Sequence, residues 1–365
     1  MSVFTRLYRG ETRIEFIGTR RRWYLASLIL IVICVLSIAF RGFNVGIDFK
    51  GGTQFQIKAN GTSLSPKIVE DAMAKTGHPS DGAAQEVGSG ATRQIVVKTH
   101  ELNLADVNSV ETKLTSELHL KPNTISTDSV SSSWGSEITR KAIQGLIVFL
   151  VVVFAYITLR FEWKMAVAAL TALLHDLVIA AGIYSIVGFE LTPSTVVGLL
   201  TILGFSLYDT VVVFDKVAEN SRDLIATARM SYPEAANLAV NQTLMRSINT
   251  SLISLLPVAG LLFVGAGLLG VGTIKDLALI LFVGLAVGAY SSLFLATPVV
   301  VDLKQREPQY RALAKRVQAK RTGSRVAGTA EPVLAGPPVP ALRGKPAPAP
   351  KPGVRPGNRP AKKRP

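Results

Sequence analysis

Two aspartates, Asp209 and Asp215, stand in `GFSLYDTVVVFDKVAEN`, residues 204–220, a stretch otherwise apolar enough to lie in a membrane. A charged side chain at bilayer depth costs roughly 2.5–3.5 kcal/mol on insertion scales, so it faces a partner or a water-filled path. The chemistry a carboxylate offers there is taking up and releasing a proton. Asp209 lies 17 residues past Thr192, about 25 Å along a straight helix, still inside the bilayer. Asp215 is six residues further, about 9 Å, near the headgroups. Six residues turn a helix by about 600°, so the two carboxylates point to different faces and do not form a paired-acid site. Asp215, followed by Lys216, reads as an interfacial charge.

Three further residues belong to this group. His175 and Asp176 are adjacent in `LLHDLVI`, and Arg246 opens an unusually polar helix with Ser247, Asn249, Thr250, Ser251 and Ser254. Residues 246, 250 and 254 share one face, with 247, 251 and 254 beside it. The stripe fades at Pro257, an expected kink. Asp209 and Arg246 fall at the same end of their helices and are expected to meet. One reading is a static salt bridge that fixes packing. The other is a proton-carrying carboxylate whose ionisation the arginine governs. A locked pair would keep the carboxylate ionised, so transport needs an arginine that changes partners. His175 and Asp176 extend such a path, although adjacent side chains diverge by about 100° and one alone need face it.

Other chemistries find no support. His78, His100 and His119 are scattered and read as surface residues; no metal cluster, nucleophile with a base, or cofactor motif is visible. The chain is therefore expected to be neither an enzyme nor a cofactor protein. Cys34 is the single cysteine, so there is no disulfide framework. `GIDFKGG` is no phosphate loop, because neither a helix nor Lys-Ser/Thr follows its glycines. It reads as a rigid joint, with Gly51 and Gly52 permitting a tight turn and Asp48 capping or pairing locally.

The elements that must position these residues are membrane helices. Of 365 residues 48% are hydrophobic and 18% charged, and the apolar ones gather in six blocks: 23–40, 143–159, 165–187, 192–217, 248–267 and 277–303. A span needs about 20 apolar residues, which each block approaches. Residues 1–22 hold six Arg and no cleavage signal, so they read as a cytoplasmic lead-in to a retained helix at 23–40. Basic residues in the 1–22, `RFEWK` and 217–247 segments place both termini in the cytoplasm. Residues 41–141 then form an extracytoplasmic α+β domain, with strands at `GTQFQIKAN`, `QIVVKT` and `NTISTDSVSSS`. Its helices start at Ser65 and at Asp106. Residues 142–303 complete the bundle. The tail, 304–365, holds most of the net +15 charge and 12 of the 19 prolines; it is expected to be disordered and cytoplasmic. As a solvated tail it holds positive charge inside; contact with anionic membrane lipids, or with nucleic acid or the ribosome, is the alternative role. `GLAVG`, residues 284–288, is a small-xxx-small step that suits helix packing, within this chain or against a partner.

In combination these segments resemble the SecD/SecF family of protein-export membrane proteins, and within it the six-helix SecF type. `NVGIDFKGGTQFQI` is similar to the family's entry motif, `SVSSSWGSEITRKA` to the lead into its second helix, and `LLHDLVI` to its third. The Asp209 segment and `NQTLMRSINTSLISLLP` match its fourth and fifth, and the likeness covers residues 5–305. Two positions depart from the pattern: Tyr208 stands where Asn is usual, and Ser132 where Pro is common. The resemblance implies half of a transporter of the resistance-nodulation-division type in the bacterial plasma membrane. Its implied partners are SecD, the SecYEG translocon, the translocating preprotein and a YajC-like accessory protein. It implies use of the proton motive force to assist export, with Asp209 and Arg246 as proton-relay residues. Asp215, His175, Asp176, Asn249 and Thr250 are candidate supports. Two alternatives stand beside it: a proton-driven exporter of lipids or small molecules, which predicts an apolar cavity outside, and a scaffold subunit that conducts no protons.

Overall fold

The computed structural model describes residues 14–59, 64–88, 90, 93–121, 123–268 and 275–328. Six helices among them are long and apolar enough to cross a membrane: Arg20–Arg41, Ser132–Arg160, Trp163–Val187, Pro193–Thr227, Tyr232–Gly265 and Lys275–Gln305. Each matches one of the six apolar blocks, with the helices running several residues beyond the apolar windows.

The first span, α1 (Arg20–Arg41), leads into a two-residue strand β1 (Asn44–Val45) and a one-turn helix α2 (Ile47–Lys50). Beyond them lies the α+β domain. Its strands are β2 (Gly52–Lys58), β3 (Gln85–Val87), β4 (Gln94–Thr99) and β5 (Ile125–Val130), in the order β3-β4-β2-β5 with every pair antiparallel. Helices α3 (Pro66–Lys75) and α4 (Leu104–Glu117) cover one face. Strict alternation in β2 sends Phe55 and Ile57 into that core beside Val69, Met73, Ile95, Val97, Val110 and Leu114. Gln54, Gln56 and Gln94 take the opposite face, which lines a cavity of about 870 Å³ with mixed polar and apolar walls. Two details differ from the sequence expectation. Strand β3 is too short and polar to show periodicity. The cap of α4 is Asn103, whose side chain accepts from Asp106 N at 2.9 Å, so Asp106 lies inside the helix.

The glycines of `GIDFKGG` allow close docking onto the second span, α5 (Ser132–Arg160). Gly51 has φ +78°, and a Cβ there would stand 2.5 Å from Ser132 Cα. Gly135 leaves matching room, since a Cβ on it would meet Phe49 O at 2.7 Å. Ser132, in the position where proline is common, donates its backbone N–H to Glu101 Oε2 at 3.0 Å, a bond proline cannot make. Asp48 occupies the first turn of α2, where the helix dipole favours an acid.

The third span, α6 (Trp163–Val187), ends at Gly188, and strand β6 (Glu190–Leu191) pairs in parallel with β1. Lys98 Nζ lies 2.6 Å from Glu190 Oε2, tying β4 to the same strand. The fourth span follows at once: α7 (Pro193–Ser221) starts from a Thr192–Thr195 capping box. After a single turn, α8 (Leu224–Thr227), comes α9 (Tyr232–Ala259). It continues past Pro257 as a wide π-turn segment, Gly260–Leu268, where the sequence expects a kink. The sixth span is α10 (Lys275–Ser291), a π-turn at Ser292–Ala296, and α11 (Thr297–Gln305).

Small residues set the helix spacing. A Cβ on Gly284 would fall 1.9 Å from Ile202 Cδ1, and one on Gly288 2.9 Å from Ser206 Cβ, so `GLAVG` packs α10 on α7 within the chain. Gly182 likewise receives Cys34 of α1. Leu25, Leu28, Ile29, Val148, Val151 and Val152 of α1 and α5 are exposed, as lipid-facing residues are.

The expectation of disorder from residue 304 needs correction. Residues 304 and 305 end α11, and Pro308–Gly328 form a further helix, α12. Leu313 and Val317, four residues apart, are buried against the bundle, and Tyr310 packs on Tyr232 at 4.7 Å between ring centroids. Composition averaged over the whole tail hides this short amphipathic face. Residues 329–365, with most of the prolines, lie outside the described residues. The described part of the second compact unit, Lys320–Pro365, is the helical stretch to Gly328.

Candidate proton site

The carboxylate of Asp209 is 3% exposed, at the junction of α7, α9 and α10. Its Oδ1 accepts from Ser247 Oγ at 2.7 Å, and its Oδ2 accepts from Ser292 Oγ. Helix α9 brings Ser247 because residues 240, 243, 244 and 247 form its buried face. Ser292 arrives through the π-turn, whose wider path rotates consecutive serines toward different neighbours.

Arg246 stands elsewhere. It is exposed, one residue and about 100° of helix rotation from Ser247. Its Nη2 donates to Tyr208 Oη at 3.3 Å. The expected meeting of Asp209 with Arg246 is thus replaced by two neighbouring contacts, Ser247 to Asp209 and Arg246 to Tyr208. Among the described residues no cation lies within ion-pair distance of Asp209. Asn249 is exposed and Thr250 half-buried on the same helix.

Asp215 does point to another face. Its side chain is 60% exposed and pairs with Arg160 at 3.5 Å. The two line a cavity of about 460 Å³ with Glu162, Glu219, Arg222 and Tyr232 at the end of the bundle opposite the α+β domain.

His175 and Asp176 are both buried, although one alone need face inward. His175 Nδ1 lies 3.0 Å from Asp176 Oδ1. Asp176 Oδ2 accepts from Ser206 Oγ and from Ser291 Oγ, each at 2.7 Å. Sequence reading missed Ser206, Ser291 and Ser292. For Ser291 and Ser292 the signal was present as `YSSLFLATP`, a serine pair inside an apolar span, and for Ser206 as `GFSLYD`, one helical turn before Asp209.

The arrangement suits both protonation states of a carboxyl. Two buried carboxylates are held by neutral hydroxyls that donate to a charged oxygen and accept from a protonated one. Each hydroxyl can therefore stay with its carboxyl in either protonation state. Among the described residues no group of His, Cys, Asp and Glu has the geometry to hold a metal.

The comparisons agree with this architecture. Residues 109–306 match the family described as "Protein export membrane protein SecD/SecF, C-terminal", and residues 36–62 the "SecD/SecF GG Motif". The chain is 46% identical to the protein translocase subunit SecF of Streptomyces coelicolor, over 88% of this chain and 85% of that one. It is 47% identical to SecF of Mycobacterium leprae, over 88% and 71%. The crystal structure of SecDF from Thermus thermophilus, titled a translocon-associated membrane protein, superposes with a TM-score of 0.72 at 34% identity. That match covers 81% of this chain and 39% of the longer SecDF chain.

Proposed function

The chain belongs to the SecD/SecF family of protein-export membrane proteins, as a translocase subunit of the SecF type, and from that premise we propose a proton-driven role in export. It pairs with SecD, as the fusion of both parts in one SecDF chain supports, and acts beside the SecYEG translocon on the emerging preprotein. Both termini lie in the cytoplasm, residues 41–141 outside, and the chain from α12 onward inside. Asp209 is the proton-binding residue. The observation that carries this reading is a carboxylate 3% exposed at membrane depth, held by two serine hydroxyls and without a cation in contact.

The cycle runs between two arginine positions. With Asp209 ionised, Arg246 turns toward it. A proton from outside neutralises Asp209, and Arg246 moves to Tyr208, the arrangement seen here. The proton leaves through the cavity at Asp215 and Arg160. One charge crossing 100 mV yields about 2.3 kcal/mol, enough to bias a two-state shift of helices but not to unfold a domain. The shift reaches the outer domain because α7, which carries Asp209, begins right after β6, and β6 is paired with β1. Movement of that domain relative to SecD holds or releases the preprotein.

The test is export of a secreted reporter into membrane vesicles that contain the Sec channel, SecD and this protein. Asp209→Asn, assembled to the wild-type level, is expected to lose the part of export that depends on a proton gradient and keep the rest. Wild-type export under both conditions would make this subunit a scaffold.

A further inference from the structure

Asp176 takes no part in the cycle above, yet it is 1% exposed and better supplied with donors than Asp209. Two sets of serine contacts place the carboxylates close together. Ser206, which donates to Asp176 Oδ2, precedes Asp209 by three residues on α7, the spacing of neighbours on one helix face. Ser291 donates to Asp176 while the next residue, Ser292, donates to Asp209, and consecutive Cα atoms are about 3.8 Å apart. Each of these two serines also has a second acceptor in its own helix: Gly288 O at 3.3 Å for Ser291, Ala289 O at 3.2 Å for Ser292. A hydroxyl can therefore swing from carboxylate to backbone when the carboxylate gains a proton.

Among the described residues, few ionisable groups face the two carboxylates. From α6 comes His175, whose Nε2 is buried and without a hydrogen-bond partner; from α9 comes Arg246, turned to Tyr208; from α10 comes Tyr290, stacked on His175 at 6.1 Å. Two carboxylates this near, with no arginine or lysine among the described residues in contact with either, cannot both ionise cheaply. Resting on the proton reading of Asp209, we infer that Asp176 is a second proton-binding residue of the site. Asp176 and Asp209 hold one proton between them. When Nδ1 of His175 donates to Asp176, its Nε2 is left as an open acceptor beside the pair.

The experiment labels the purified complex with SecD, in liposomes at neutral pH, with dicyclohexylcarbodiimide, which modifies protonated buried carboxyls. Mass spectrometry then reads both aspartates. Expected are chains modified at Asp176 or at Asp209 but not at both. Asp176→Asn lowers labelling of Asp209 by roughly threefold or more, and Asp209→Asn does the same to Asp176, as coupled sites require. Ser291→Ala keeps both carboxylates but removes a donor that favours ionised Asp176, so labelling moves from Asp209 to Asp176. Labelling of Asp209 that is unchanged in Asp176→Asn and in Ser291→Ala overturns the shared proton and leaves the role of Asp209 intact. Absence of label on Asp209 in the wild type overturns both.

Discussion

Tyr208 and Arg246 form a contact on the exposed flank of the site, 3.3 Å from guanidinium nitrogen to phenol oxygen. If that contact is the resting place of the released arginine, its loss favours the opposite stage. A hydrogen bond to a charged group in a partly exposed setting is worth about 1 kcal/mol, or roughly fivefold in an equilibrium. Tyr208→Phe is expected to slow gradient-driven export by about that factor. Tyr208→Asn, which keeps an acceptor, restores most of the rate; equal rates in all three proteins would remove Tyr208 from the cycle. The position of Asp209 was legible from its cost in an apolar helix. Its partners were not, because one step along α9 exchanges Arg246 for Ser247, and helix phase is set by which face packs.

Among the elements, the α7–α10 contact and the β1–β6 joint matter most. Gly284→Val puts a branched side chain against Ile202 and is expected to destabilise by about 1–3 kcal/mol, read as a lower melting temperature in detergent. The companion change Ile202→Ala should recover part of that loss. At the joint, Lys98 and Glu190 are each less than 20% exposed on their side chains. Lys98→Met leaves Glu190 without its cation and should speed amide exchange at residues 44–46 and 190–191 by about tenfold, some 1.4 kcal/mol. The double variant Lys98→Met, Glu190→Leu should exchange more slowly than the single one. These pairings were beyond sequence reading, since β1 and β6 have two residues each and lie far apart in the chain.

At the scale of the molecule, α12 is held at the end of the bundle by charges as well as by Leu313 and Val317. Lys304 pairs with Glu162, and Lys164 Nζ lies 2.6 Å from Glu307 Oε1. Burial pushes the Glu307 carboxyl up, but hydrogen bonds from Lys164 and Gln309 and the charge of Lys304 outweigh it and hold it below the ordinary value. Its contribution is therefore complete above the ordinary carboxylate range and is lost as pH falls from about 4.3 through the lower folded value. Amide exchange of residues 308–319, corrected for its intrinsic pH dependence, should accelerate over that window, and Glu307→Gln should abolish the step. The sequence by itself determined six spans, the place of the α+β domain between the first two, and the position of Asp209 within an apolar helix. Those follow from hydropathy, period and rise per residue, which are local quantities. Tertiary structure alone decided that Ser247 and Ser292 hold Asp209, that Ser206 and Ser291 hold Asp176, and that residues 308–328 fold. Each of these depends on which helix faces meet, and a chain of apolar helices offers many nearly equivalent pairings until small residues such as Gly284 and Gly288 select one.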